Sequence, residues 1–503
     1  MPGPSAEPAS ATPSVTLLTE GTYPHSHGGV SVWCDQLVQG MPDVDFRVIA
    51  VTATGREPLA WQPPRHVRAI DTLPLWGPPP PGRAPRGREL KRFLTCYERF
   101  LLALLDPGQE QHFARSFYRL ADYATGGTLF AALRGEPAAR LLARVWNRTH
   151  LATAAARPTL HDALAATDLL EHALRPLAAR PPAEGITHAV SGGLATLPGL
   201  VAHHRHGTPF LLTEHGVYLR ERYLGFRAEP YRWPVKALML GLFRMLAKES
   251  YRCAALVTPG NRYNRRWEEH GGTPPDRIRT VYNGVDPAAF PPAGPEPEIP
   301  TLSWAGRVDP IKGLDTLIRA FALVRAEIPG ARLRLFGGTP RGGEGYRTAC
   351  EGLAAELGVA DAVTFEGRVE DIRDAYAAGN VVMLSSISEG FPFTLIEAMS
   401  CGRPTVSTDV GGVREAVGDS GLVVPPRDAQ SMARAALRLL RDPALRARMG
   451  EAARLRVIEQ FTLRQTISAF RDIYHDLAGT RPDVRQPGHA TVPVMAMAAG
   501  GAR

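Results

Sequence analysis

The chain has 503 residues, 44% of them hydrophobic, with 58 basic against 50 acidic side chains and a formal net charge of +8. That length predicts two or three domains, and the composition predicts a sizeable folded core. No dense basic and aromatic stripe points to nucleic acid, no run of eighteen apolar residues can span a bilayer, and five scattered cysteines without a CxxC pair argue against a disulfide framework or zinc site and for a reducing compartment.

Residues 1–14 are rich in Pro, Ala and Ser and lack the basic and apolar regions of a signal peptide, so a disordered N-terminus is expected there. The first strand reads Val15 to Thr19 and runs into Glu20-Gly21-Thr22-Tyr23-Pro24 and then Gly28-Gly29-Val30. Val32, Trp33, Gln36 and Leu37 follow at helical spacing. Strand, glycine turn and helix in that order open a doubly wound α/β lobe. Further strands are expected at Phe46–Val51, His188–Ser191, Phe210–Thr213, Leu256–Thr258 and Ile278–Tyr282, giving an N-terminal lobe over 15–290.

Residues 74–182 break that rhythm. A proline run, Pro78 to Pro81, leads into Ala-, Leu- and Arg-rich sequence in which Phe93, Cys96, Phe100, Leu101 and Leu104 share one helical face. A helical insertion is expected. The apolar segment Trp233–Ser250, with Lys236, Arg244 and Lys248, fits a buried helix better than a membrane-contacting one.

Pro291–Pro300 is dense in Pro and Glu and reads as an interlobe linker. A second α/β lobe is expected over 291–478, with strands at Leu302–Ala305, Leu333–Phe336, Val363–Phe365, Val381–Ser385 and Thr405–Ser407. Leu314, Leu317, Ile318, Phe321 and Val324 form a core-facing helical stripe, and helices over 429–461 and 463–477 close the lobe. The Pro/Gly/Ala-rich tail, 479–503, is expected to be disordered.

Two elements of the second lobe carry chemistry. Gly306-Arg307-Val308-Asp309-Pro310-Ile311-Lys312-Gly313 sits between strand and helix and places two cations five positions apart on a glycine-punctuated turn. Such a turn can converge on a diphosphate, Arg as a fork and Lys as a point charge, with help from the helix N-terminus. Ser388-Glu389-Gly390-Phe391-Pro392 then leads into a helix carrying Glu397, so two carboxylates with seven residues between them straddle a helix start. No His/Cys/Asp cluster has metal-ligand spacing, and Gly28-Gly29 lacks the G-x-G-x-x-G spacing of a dinucleotide site.

Together these motifs resemble glycosyltransferase family 4, whose E-x7-E element is similar to Glu389…Glu397 and whose phosphate turn is similar to Arg307 and Lys312. The N-terminal Glu20 to Ser31 stretch, His188 to Ser191, Thr213 to Tyr218 and Asn283 to Asp286 resemble the PelF-type subgroup, and the resemblance runs from about Val15 to Leu477. It implies the GT-B arrangement of two Rossmann-like lobes facing a cleft, and retaining transfer of a hexosyl unit, glucose foremost, from a UDP-sugar to a polysaccharide or other glycan, without cofactor or metal. It assigns His215 and Glu389 to the donor sugar as catalytic residues. Gly28, Gly29, Arg307 and Lys312 fall to the diphosphate, Gly390, Phe391 and Pro392 to the donor loop, and Glu397 to the ribose. Partners would be the nucleotide-sugar donor, the glycan acceptor and a membrane-associated polysaccharide synthase complex. The place of action would be the cytoplasm, including the inner face of the membrane. A nucleotide-sugar 2-epimerase of the same fold, or a non-catalytic UDP-sugar-binding subunit, stays open beside this reading.

Overall fold

The computed structural model describes residues 12–149, 157–226, 229–340 and 342–479. The expectation for residues 1–11 and for 480–503 lies outside the described residues.

The N-terminal lobe is built on strands β1 (Ser14–Glu20), β2 (Asp45–Thr52), β3 (Val67–Pro74), β4 (Ile186–Ala189), β5 (Phe210–Glu214) and β6 (Leu256–Pro259). Its helices are α1 (Gly29–Gln39), α2 (Gly87–Leu105), α3 (Phe113–Thr125), α4 (Leu129–Leu133), α5 (Glu136–Arg148), α6 (Leu160–Ala173), α7 (Thr196–His206), α8 (Tyr218–Phe226), α9 (Trp233–Cys253) and α10 (Arg262–His270). The C-terminal lobe holds β7 (Thr301–Ala305), β8 (Arg332–Phe336), β9 (Val363–Gly367), β10 (Val381–Leu384), β11 (Thr405–Thr408) and β12 (Leu422–Val424). Its helices are α11 (Leu314–Glu327), α12 (Glu344–Glu356), α13 (Ile372–Ala377), α14 (Phe393–Ser400), α15 (Val413–Val417), α16 (Ala429–Arg441) and α17 (Pro443–Gln460), followed by α18 (Leu463–Ala478).

Both sheets are parallel, in the orders β3-β2-β1-β4-β5-β6 and β12-β11-β10-β7-β8-β9. Counted within each lobe these are the same doubly wound order. In each, the crossover direction reverses beside the first strand, so a crevice opens at the carboxyl ends of β1/β4 and of β7/β10. The α/β, GT-B-type architecture expected from the sequence is therefore present.

Packing follows the apolar periodicity. Leu314, Leu317, Ile318, Phe321 and Val324 of α11 are all buried, each worth about 1.5–3 kcal/mol of transfer free energy. Between β3 and β4 stand α2 to α6, with Phe93, Phe100, Leu101 and Leu104 of α2 in the same core as α9. The α9 segment buries Leu238, Met239, Leu242, Phe243, Met245 and Leu246. Among the described residues no helix is long and apolar enough to cross a membrane.

Several local expectations need correction. Ile278–Tyr282 is not a strand: it follows β6 with one isolated bridge, Ile278 to Val257. Strands β3 and β12 were not anticipated. The helix expected over 429–461 is two helices, because Asp442 caps α17 through Leu445 N at 2.8 Å and Pro443 occupies its first position. The Pro291–Pro300 segment is strapped to the second lobe: Glu296 pairs with Arg446 at 2.5 Å, and Pro295 O accepts from Arg403 at 3.0 Å.

The chain returns to the first lobe at its end. Helix α18 lays Phe470 against Trp33 with ring centroids 5.1 Å apart, and Tyr474 Oη lies 2.8 Å from His188 Nδ1. Arg471 closes the contact on Asp43 at 3.1 Å. One helix from the C-terminal end thus holds the two lobes face to face.

Candidate functional site at the interlobe crevice

The site is best built from the two crevices inward. In the C-terminal lobe, the β7 exit gives Gly306 and Arg307, a single 3₁₀ turn gives Lys312, and Gly313 at φ +62° turns the chain into α11. A Cβ at Gly313 would lie 2.4 Å from Ser385 O, so this turn lies directly on the β10 exit. Ser385 Oγ donates to Lys312 O at 2.8 Å, and Ile387 N donates to Ile311 O at 2.8 Å. These bonds are why residues 77 positions apart meet: Lys312 Nζ donates to Glu389 Oε1 at 2.6 Å. Ser386 Oγ donates to the same oxygen at 2.5 Å.

The structure thus brings Lys312 and Glu389 together as an ion pair, where the sequence reading had Lys312 free to face a diphosphate. Arg307 is exposed and makes no ion pair among the described residues. Glu397 lies little more than one turn into α14, because the helix begins at Phe393. Tyr376 of α13 donates to it at 2.5 Å. Burial pushes the Glu397 carboxyl up to about 7, against the Tyr376 hydrogen bond, which acts the other way. The folded chain then holds a proton that an unfolded glutamate, at 4.5, has released, so this group's contribution to stability falls as pH rises from about 4.5 to about 7.

The N-terminal lobe supplies the facing wall. Gly28 is the N-cap of α1, and Val32 N donates to Gly28 O at 2.9 Å. A Cβ at Gly28 would meet nothing within 4 Å, and one at Gly29 would lie 3.7 Å from the Phe393 ring. The first residues of α1 and α14 are therefore neighbours where the two lobes meet. A helix start offers N–H groups without intrahelical partners and the positive end of the helix dipole.

His215 follows β5 and touches the Gly390 loop through its backbone: a Cβ at Gly390 would sit 1.7 Å from His215 O. Its ring packs edge-on against Trp33 at 4.7 Å, and Nε2 is buried without a hydrogen-bond partner. Burial lowers its pKa to about 4, so the imidazole is neutral near pH 7. His188 contrasts with it: both ring nitrogens are taken, by Tyr474 at 2.8 Å and Thr213 at 2.7 Å, as befits a structural histidine. Phe391 and Pro392 are buried at the start of α14, and Asn283 Nδ2 donates to Phe391 O at 2.9 Å.

Residues to which the sequence reading gave no role at the site hold this constellation. Tyr376 and Ser386 fix the two glutamates, and Asn283 fixes the loop. Glu415 of α15 caps α10 in the other lobe, accepting from Arg262 N at 2.8 Å and Tyr263 N at 2.7 Å. Glu20 accepts from Leu194 N at 2.7 Å and Tyr218 Oη at 2.8 Å, beside the β1/β4 crevice. Tyr376, Asn283, Glu415 and Glu20 act across separations of 21 to 198 residues, whereas Ser386 lies three residues before Glu389. Among the described residues, no group of three or more His, Cys, Asp or Glu side chains gathers as metal ligands.

Residues 13–276 match a domain of unknown function, DUF3492, which is over half the chain, and residues 299–442 match the glycosyl transferases group 1. A D-inositol 3-phosphate glycosyltransferase of Saccharomonospora viridis is 36% identical over 220 residues, 40% of this chain and 51% of that protein. The chain spans about half the length of the curated relatives it matches. Two solved structures share the fold across nearly the whole chain. Sucrose-phosphate synthase of Thermosynechococcus elongatus has a TM-score of 0.60 at 21% identity, covering 93% of this chain and 100% of that one. Anabaena Alr3699/HepE in complex with UDP and glucose has a TM-score of 0.57 at 16% identity, covering 92% and 99%. The second lobe is thus similar to the glycosyl transferases group 1, and the chain belongs to the DUF3492 family.

Proposed function

We propose that this protein is a retaining hexosyltransferase of glycosyltransferase family 4, of the PelF-type subgroup, moving glucose or a similar hexose from a UDP-sugar to a glycan acceptor. The observation that carries the reading is the meeting, between the two lobes, of the Lys312–Glu389 pair, the neighbouring starts of α1 and α14 and the unpartnered Nε2 of a neutral His215, with an exposed Arg307 on the same β7–α11 turn as Lys312. In the reaction the bond from the anomeric carbon to the diphosphate oxygen breaks and a bond to an acceptor oxygen forms on the same face. The acceptor's proton leaves to the departing diphosphate. Negative charge grows on that diphosphate, and preorganised Arg307, Lys312 and helix N–H groups lower the barrier. Glu389 accepts from the donor sugar's hydroxyls, and Glu397 from the ribose. Its partner would be a polysaccharide synthase complex at the inner face of the membrane.

The direct test is a panel of UDP-, GDP- and ADP-glucose with the acceptor glycans of the source cells, reading nucleotide release and product. UDP release dependent on acceptor, with the anomeric configuration kept, is the expected result, and it should persist in excess EDTA because the cations at the diphosphate are side chains. Epimer formation without acceptor, or release restricted to GDP or ADP, overturns the reading.

Glu397 gives a pH signature. Ribose hydroxyls donate to the ionised carboxylate, so affinity for UDP-glucose should rise as pH climbs from 6 to 8 through the value of about 7. Glu397→Gln should weaken binding and flatten that rise. Calorimetry at several pH values checks both, and an unchanged slope in the variant removes Glu397 from the ribose.

A further inference from the structure

A cavity of about 640 Å³ opens beside the crevice, in the N-terminal lobe. Its floor exists because α9 crosses α2 closely: a Cβ at Gly241 would lie 2.3 Å from Leu104 O. Ala237 and Leu240 of α9, Leu219 and Tyr223 of α8, and Leu104 make walls that are overwhelmingly apolar. At the mouth stand Trp233, Tyr223 and Trp267, which are 50%, 54% and 40% exposed. Three large rings left in water around one hollow are the informative exception to ordinary surface composition.

Two further observations limit the occupant. Among the described residues, the charged side chains in the wall are Arg220 and Arg244, both cations. Arg244 is engaged with Glu110, which also holds Lys248 at 2.7 Å, while Arg220 makes no ion pair among the described residues. Val217 also lines the cavity, and His215, two residues earlier, touches the Gly390 loop, so one wall of the hollow is two residues along the chain from the crevice.

We propose that this cavity binds the hydrocarbon chain of an amphiphilic acceptor with an anionic head, that is, a lipid-linked saccharide phosphate whose phosphate meets Arg220 and whose sugar reaches the crevice. The acceptor role rests on the transferase reading above; the binding of the chain does not. A volume of this size suits one ligand chain, and an apolar wall with one placed cation is the make-up of a specific pocket rather than a bilayer contact.

Calorimetry with decyl phosphate below its micellar concentration, methyl phosphate and n-decanol tests the site in the full chain. Decyl phosphate should bind about a hundredfold or more tighter than methyl phosphate, since each buried methylene adds to affinity. Ala237→Trp fills the hollow and should weaken decyl phosphate by about tenfold or more, with UDP affinity unchanged. Arg220→Ala should weaken decyl phosphate and leave n-decanol as it was. The proposal is overturned if Ala237→Trp binds decyl phosphate like the parent. It is also overturned if binding appears only on anionic phosphatidylglycerol vesicles and is equal in the variant, which would make the face a membrane contact. Binding only after removal of residues 480–503 would assign the hollow to the chain's own tail instead. UDP titration in the same samples reports separately on the donor site, so failure of one reading does not masquerade as failure of the other.

Discussion

Glu389→Gln is expected to lower turnover on UDP-glucose by about ten- to a hundredfold while leaving affinity for free UDP at or above the parent's. In the proposed reaction Glu389 sits beside the bond that breaks, and it is held by Lys312 at 2.6 Å and Ser386 at 2.5 Å. Its interaction with sugar hydroxyls strengthens as positive charge grows at the anomeric carbon, and interactions realised only in the transition state govern turnover. The amide keeps the shape but not the charge. It also releases Lys312 from its ion pair, and a freed ammonium meets the diphosphate of UDP more strongly. Steady-state kinetics with UDP calorimetry separate these effects. Loss of UDP affinity with intact turnover would place Glu389 at the nucleoside instead.

Gly390→Ala should be more damaging still, cutting kcat/KM by about a hundredfold or more, because a displacement of about 1 Å between catalytic groups costs that much. The new methyl would lie 1.7 Å from His215 O, a backbone atom with no rotamer to change, so the donor loop and the first lobe must part. The folded state should survive, since each lobe has its own buried core. Gly352→Ala is the control: nothing stands within 4 Å of its Cβ position. It should be neutral or slightly stabilising in α12. Kinetics and thermal melts on both variants check this, and near-parental activity of Gly390→Ala would mean that the lobes do not need this contact.

Local pattern and non-local pairing divided what could be read from the sequence. The α11 stripe and the glycine turns at Gly28-Gly29 and Gly306–Gly313 announce themselves, because helix periodicity and βα turns are properties of a few consecutive residues. The doubly wound class followed from alternating strands and helices. Strand β3 escaped notice because its residues are mostly half-buried at a sheet edge and carry no clean alternation. Ile278–Tyr282 misled for the opposite reason, alternating like a strand while bonding β6 at only a few points. The break at Asp442-Pro443 hid inside a continuous Ala, Leu and Arg pattern. At the site, the spacing of Glu389 and Glu397 was legible, but their partners were not: Lys312 is 77 residues from Glu389, and Tyr376 is 21 from Glu397. Nor does any motif reveal that His215 keeps a free buried nitrogen while His188 spends both of its own.

The central claim is that a nucleoside diphosphate sits in the crevice with its charge on the Arg307 turn. Isothermal titration of UDP into the parent chain and into Arg307→Ala tests it most directly. The account predicts one UDP per chain, weakened about tenfold or more in the variant by loss of a charge-assisted contact. A folded parent that binds no UDP, or an Arg307→Ala chain that binds it as tightly as the parent, would contradict it.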